Sequence, residues 1–320
     1  MTSQISLFDH ESERRTRENP PDQKLEAIVI PKDLPGARLP DLLPADAQLT
    51  LTKNYGVRAD VLSRILRILA EKEAAGETVT RDEIGAELAI PSERRQGAFM
   101  VARRAELLTA ENRLTPFAQL VVRHQPYLLD SGLLCVFHYL LASNANLVIW
   151  SHLFNSIFIE HDDIEPNHAQ TLFAALSDRW TQNTIRDKAR RELGGILRTY
   201  ADEWFKPLGL ITRIAKGHYS PNSNSVHVPS LVWYSTLLIY RDRYYSNAPS
   251  LETRLILNAP FSPGRILRQS EAAVRRGLDE LHNAGLLTVE TRSGLDQVRF
   301  KSSFTWLSAV AGYLQGQGMP

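Results

Sequence analysis

The stretch Ser262–Phe300, SPGRILRQSEAAVRRGLDELHNAGLLTVETRSGLDQVRF, decides the fold. Ser262 followed by Pro263 is an N-cap with proline at the first helical position, where its missing N–H would have had no partner anyway. Arg265–Gln269 completes that short helix. Ser270 then caps a longer one, in which Val274, Leu278 and Leu281 fall on one face and Gly285 ends the run. From Leu286 to Thr291 the apolar period changes from helical to alternating. A turn follows at Arg292–Asp296, and Gln297–Phe300 alternates again. Alternation on both sides of a glycine-containing turn predicts a hairpin. With Leu251–Leu257 read as a first helix, the order is helix, short helix, helix, hairpin, which is the grammar of a winged helix-turn-helix.

The same grammar recurs between Lys53 and His124. Val57, Val61, Ile65, Ile68 and Leu69 recur at helical spacing, and Gly76 is placed to end that helix. Thr80-Arg81-Asp82-Glu83 matches a capping box and opens a short helix that ends near Leu88. Ala89-Ile90-Pro91 is a tight turn, and Ser92 is read as the cap of a third helix striped with Ala98, Val101, Ala102, Ala105 and Leu108. Glu111-Asn112-Arg113 before Leu114-Thr115-Pro116 reads as a minimal wing.

Between these units, residues 125–248 read as an all-helical core, with helices expected at Gly132–Ser143, Asn146–Ile159, Asn167–Trp180, Thr184–Phe205 and Val228–Tyr245, and loops at 161–166 and 217–225. Residues 1–45 are rich in charge and proline and read as a disordered tail and linker. The expected organisation is therefore a tail over 1–45, a winged helix-turn-helix over 46–124, a helical core over 125–248 and a second winged unit over 249–320: a mainly α protein.

Composition sets the limits. Of 320 residues 43% are hydrophobic and 23% charged, the balance of a globular chain. No apolar run approaches the roughly 18–20 residues a bilayer span needs, and the polar start of the chain lacks the apolar segment of a signal peptide. A cytoplasmic protein with no membrane partner is expected. The single cysteine, Cys135, rules out an internal disulfide and multi-cysteine metal knuckles, and its apolar neighbours mark it as a buried thiol. A net charge of +1 excludes a broadly basic nucleic-acid coat, so any positive surface must be local.

It is local. Arg94, Arg95, Gln96, Arg103 and Arg104 stand off the apolar stripe of the first unit's third helix. Arg265, Arg268, Arg275 and Arg276 do so in the second unit, with Arg292 at the wing tip. The N-terminal part of such a helix is the part that enters the major groove, where arginine grips phosphate or guanine. Solvated helix faces pairing with Glu93, Glu271 and Asp279, or protein-protein use of the winged units, are the alternatives.

Three further segments carry chemistry-bearing residues. Gln4-Ile5-Ser6-Leu7-Phe8 is similar to the short peptide with which bacterial proteins dock onto the replicative sliding clamp, Leu7 and Phe8 filling an apolar pocket and Gln4 making a polar contact. The run from Glu160 to His168 has the residue types of a divalent-metal site, with His161 and Asp162 its candidate ligands. Acidic residues there also suit the start of a helix. The loop Lys216–Ser220 holds a histidine, a tyrosine and a serine. No phosphate-binding glycine loop, zinc signature or nucleophile elbow is present, and no catalytic residue is assigned.

The middle of the chain adds a resemblance. His124-Gln125-Pro126-Tyr127-Leu128-Leu129-Asp130, Leu134 to His138, Leu141-Ala142-Ser143-Asn144 and Trp150 with Phe154-Asn155 resemble the recurring motifs of the bacterial domain-of-unknown-function family four-thousand-and-seven. Leu197-Arg198-Thr199-Tyr200 and Pro207–Ile211 look like its next recurring stretch. The likeness runs from about Lys53 to Tyr245. These are packing and capping residue types. The family's opening motif survives only as Lys53-Asn54-Tyr55-Gly56. The resemblance implies a setting: members accompany DNA phosphorothioation systems that act against phage, and one branch is described as a DNA-nicking component. The expectation is a double-stranded-DNA-binding component of such a system, working with its partner proteins and nicking one strand or selecting a site for a partner enzyme. Magnesium or manganese would be needed only for nicking. A transcriptional regulator and a protein-interaction scaffold are the rival readings.

Overall fold

The computed structural model describes residues 39–78, 80–222, 226–292, 295–301 and 304–316. Gln4, Leu7 and Phe8 lie outside them. Residues 39–45, expected to belong to the tail, are folded: Leu39–Leu42 is a 3-10 turn with Leu39 and Leu42 buried. Gln48 then forms a single parallel bridge with Leu147 and ties this segment to the middle of the chain.

The first unit follows the sequence pattern closely. α1 (Ala59–Ala74) buries Val61, Leu62, Ile65, Leu66, Ile68 and Leu69, one stripe at helical spacing. α2 (Arg81–Leu88) starts at the expected capping box, with Thr80 and Glu83 bonding each other's backbone N–H. Ala89 takes a left-handed conformation, φ 50 and ψ 39, which turns the chain sharply into α3 (Ser92–Arg104). Ser92 is not the cap: Pro91 holds that position, and no side chain among the described residues caps the first turn of α3. The expected minimal wing reduces to one isolated bridge, Leu108 to Leu114, before α4 (Pro116–His124) begins on a Thr115 cap.

The middle is more irregular than its periodicity suggests. α5 (Ser131–Ala142), capped by Asp130, is buried at every position from Gly132 to Ala142. α6 (Val148–His152) runs through a π-helical turn at Leu153–Ile157 into α7 (Phe158–Glu160). The helix expected over Asn167–Trp180 is broken into a 3-10 turn, α8 (Ala169–Leu172) and a second 3-10 turn at Ala174–Leu176. α9 (Gln182–Thr184) passes through another π-helical turn into α10 (Arg190–Ala201). The core is not all-helical. β1 (Ile211–Ala215) and β2 (His218–Pro221) form an antiparallel hairpin turned at Gly217, φ 82, where only glycine sits without strain. α11 (Ser230–Tyr244) follows.

In the C-terminal segment, β3 (Ser250–Glu252) occupies the first residues of the helix expected at Leu251–Leu257, and α12 (Thr253–Asn258) starts after it. α13 (Pro263–Ile266) and α14 (Glu271–Asn283) have their Ser262 and Ser270 caps, each side chain accepting from a backbone N–H. β4 (Leu287–Glu290) and β5 (Gln297–Phe300) are the expected hairpin, and β3 joins it in an antiparallel sheet of order β3-β5-β4. α15 (Trp306–Leu314) returns across α11. At Gly264 a Cβ would lie 2.7 Å from Leu257 O, so α13 crosses α12 at a distance only glycine permits. The fold is predominantly helical with two small sheets, and its buried core is continuous along the chain. No helix among the described residues is long and apolar enough to cross a membrane.

The motif residues of the middle segment hold this core together. His138 lies wholly buried on α5, with Nε2 2.9 Å from Ile266 O and Nδ1 2.5 Å from Tyr200 Oη. A carbonyl only accepts, so Nε2 carries the proton and Nδ1 accepts from the tyrosine hydroxyl. The imidazole is thereby held neutral between α5, α10 and α13. Asn155 accepts from Phe261 N–H at 2.6 Å and donates to Ser151 O at 2.7 Å, joining the π-helical turn to the C-terminal unit. Cys135 is buried as expected, and burial pushes its thiol up to about 12.

Burial pulls both His138 and His152 down to about 4 from the ordinary 6.5. For each, the unfolded chain binds a proton that the folded protein refuses. Stability is therefore full above pH 6.5 and is lost as pH falls from 6.5 towards 4. At roughly 1.4 kcal/mol per unit, the loss is about 3 kcal/mol per histidine. Denaturant midpoints measured across that window should fall steeply, and His152→Phe, which removes an imidazole whose Nδ1 has no partner among the described residues, should remove about half the fall.

Candidate functional site

The first unit presents its basic side chains on the N-terminal half of α3. Residues 51–55 buttress that half from behind. Their anchor is Glu192, buried on α10 at 1% exposure. Its Oε2 accepts from Thr52 N–H at 2.9 Å and Lys53 N–H at 3.0 Å, and its Oε1 from Thr52 Oγ1 at 3.2 Å and Trp150 Nε1 at 3.4 Å. Desolvation raises the Glu192 carboxyl above its ordinary value, and the backbone N–H groups of this loop oppose that rise. A Cβ on Gly195 would lie 2.8 Å from Thr52 Oγ1 and 2.9 Å from Tyr55 O, so α10 meets the loop backbone to backbone. On the far side Gly97 of α3 packs on Thr52 Cα. Tyr55 donates to Glu93 at 3.3 Å and lies under the guanidinium of Arg94, 5.2 Å from ring centre. The surviving Lys53–Gly56 motif is thus the bed on which α3 rests.

The predicted nucleic-acid residues separate into two groups. Arg94 and Gln96 are exposed on α3, with Lys53 Nζ 3.4 Å from Gln96 Oε1. Arg95 turns back to Asp82 at 2.9 Å, and Arg103 donates to Asn112 Oδ1 at 2.7 Å; both are structural in this conformation. In the C-terminal unit Arg265 and Arg268 reach inward, donating at 3.1 Å to Asn155 O and Phe158 O at the end of the helix they pack on. Burial lowers both guanidinium groups. Arg275 is held by Glu271 at 2.9 Å and Asp296 at 3.0 Å. Arg276 and Arg292 are exposed. α14 also carries Asp279 and Glu280 on its outer face beside Glu271, whereas Glu93 is the one acidic residue of α3 against Arg94, Arg95, Arg103 and Arg104, so α3 is net positive and α14 is not.

A second group of residues meets where the segment 163–166 passes α10, whose Gly194 has Asn54 and Pro166 as neighbours. Ile164 and Tyr219 form an antiparallel bridge, with N–H to O distances of 2.8 and 3.1 Å. Ile164 points into the core, so its neighbours Asp163 and Glu165 share the outward face, as i and i+2 do on extended backbone. His218, beside Tyr219, lies across from them, its Nδ1 3.4 Å from both Asp163 Oδ2 and Glu165 Oε1. The ligand atoms of these residues lie within 4.8 Å of one another, the spacing of a metal-binding group. His161 and Asp162, the candidates read from the sequence, are not in it; Asp162 faces Arg268 instead. One imidazole with two carboxylates suits a first-row transition cation such as Mn²⁺, which accepts nitrogen beside oxygen, better than Mg²⁺, which favours oxygen ligands and retained water.

A family model described as a protein of unknown function, DUF4007, matches residues 96–311. No curated protein matches the chain. Two solved structures share its fold. One, described as the magnesium ion-bound SspB crystal structure, superposes with a TM-score of 0.69 at 16% identity, over 88% of this chain and 90% of that one. The other, described as the SspB crystal structure, gives 0.66 at 15% identity over the same shares of each chain.

Proposed function

The chain belongs to the DUF4007 family of proteins of unknown function, and from that premise we propose that it docks duplex DNA for a bacterial DNA phosphorothioation and anti-phage defence system, using α3 of a winged helix-turn-helix-like first unit. The observation that carries this reading is the α2–Ala89–α3 turn. It projects the uncapped N-terminus of α3 with Arg94, Gln96 and the adjacent Lys53 exposed together. Helix N-termini attract phosphate through their unpaired N–H groups, and arginine with glutamine is a base-reading pair of side chains. The C-terminal unit, strand, three helices and hairpin, has winged-helix connectivity. Arg265 and Arg268 are tied to the core and Arg275 to carboxylates, which supports a role in packing and partner contact and leaves Arg276 and Arg292 as the unit's exposed predicted cations.

The Asp163–Glu165–His218 group favours one second reading, metal-assisted nicking of a strand held by α3. Both readings meet in one experiment. Purified protein should shift a duplex at low salt and leave supercoiled plasmid intact with Mn²⁺. No shift at low salt overturns DNA docking. Open-circle product that is lost with chelator, and lost again in Asp163→Asn, establishes nicking by this group.

A further inference from the structure

A cleft of about 390 Å³ opens beside α3, between residues 47–53, the outer edge of α3 and the segment carrying Trp180 and Lys188. That size falls within the roughly 300–1,000 Å³ range of small-ligand pockets. Lys53, Lys188 and Gln96 line it with Trp180, and no carboxylate is among the described residues that line it. Gln48 also lines it, with an Oε1 that is out of solvent and without a hydrogen-bond partner among the described residues. The tryptophan is held in place beforehand. Arg179 lies over its ring, 4.8 Å from ring centre, and donates to Pro44 O at 2.6 Å and Ala45 O at 2.5 Å. The other four tryptophans are at most 5% exposed, whereas Trp180 is half-buried.

An aromatic platform flanked by cations, with amide groups on the wall, is the combination that takes a nucleobase and its phosphate. We propose that this cleft binds one unpaired nucleotide, its base stacked on Trp180 and its phosphate between Lys53 and Lys188. The inference deepens the docking reading and rests on it: a cleft that shares Gln96 with α3 takes a nucleotide extruded from, or unpaired beside, the duplex α3 holds.

The accessible tryptophan makes the test direct. In the full chain, an eight-nucleotide single strand should quench the iodide-accessible part of the tryptophan emission and shield the remainder from iodide. Trp180→Leu and, independently, the exposed Lys188→Glu should each weaken that strand at least tenfold and leave duplex binding within threefold of wild type. Arg94→Glu should do the reverse. Quenching by free dAMP or dTMP as strong as by the oligonucleotide would assign the same cleft to a free nucleotide. Unchanged iodide accessibility with both probes at millimolar concentration, or wild-type strand affinity in both cleft variants, overturns the proposal. A strand that binds Trp180 while no duplex shifts would instead overturn docking by α3 and leave the cleft standing.

Discussion

Glu192→Ala is expected to destabilise the protein by about 3–5 kcal/mol, the range for breaking a buried charged network. The change leaves the N–H groups of Thr52 and Lys53, the Thr52 hydroxyl and Trp150 Nε1 facing an empty space in the core. For a chain of 320 residues that corresponds to a melting temperature lower by about 5–8 °C. Glu192→Gln keeps one acceptor oxygen and should lose less than half as much. Calorimetry of the three proteins at pH 7 checks the ranking. The pH dependence has its own sign. Burial raises the folded carboxyl above the unfolded one, so the contribution of this group is full below the unfolded value and diminishes as pH rises through the folded one. That is opposite to the histidine effect, and Glu192→Gln removes it. A loss under 1 kcal/mol for the alanine variant would mean that the loop 51–55 is not held by Glu192, and the bed beneath α3 would have to be found elsewhere.

The second large effect separates the two units. Arg94→Glu should weaken duplex binding by on the order of 30-fold or more at low salt, because it removes a cation facing phosphate or base and puts an anion there. Arg275→Glu should cost under about fivefold. In the folded protein Arg275 is already paired with Glu271 and Asp296, so it offers little free charge to a phosphate. Fluorescence anisotropy with a labelled duplex measures both. Equal losses at the two positions would restore the C-terminal unit as a DNA reader.

Most local signals in the sequence hold in the structure, the Ser92 cap and the minimal wing before Pro116 being the exceptions. The Thr80–Glu83 capping box, the Ser262 and Ser270 caps, the left-handed Gly285 and the β4–β5 hairpin all depend on residues a few positions apart, and all are present. What the sequence hid is decided by distant partners. β3 is a strand only because β5, nearly fifty residues on, offers it an edge to pair with, and a three-residue strand has no period to read. The β1–β2 hairpin is exposed along most of β1, so no alternation marks it. The charge of α3 and α14 was legible, but not which arginines stay free. Asp82 pairs with Arg95, Asp296 with Arg275, and Phe158 O accepts from Arg268 across 110 positions of chain. The Asp163–Glu165–His218 group was legible only in pieces, since its segments meet through one bridge over 55 positions.

On the proposed reading the N-terminal half of α3 is the DNA-facing surface. Amide hydrogen exchange of the full chain with and without a saturating 30-base-pair duplex tests it most directly. Added protection is expected over residues 80–97, with residues 270–292 unchanged. Protection confined to 270–292, or absent from both at saturation, would contradict it.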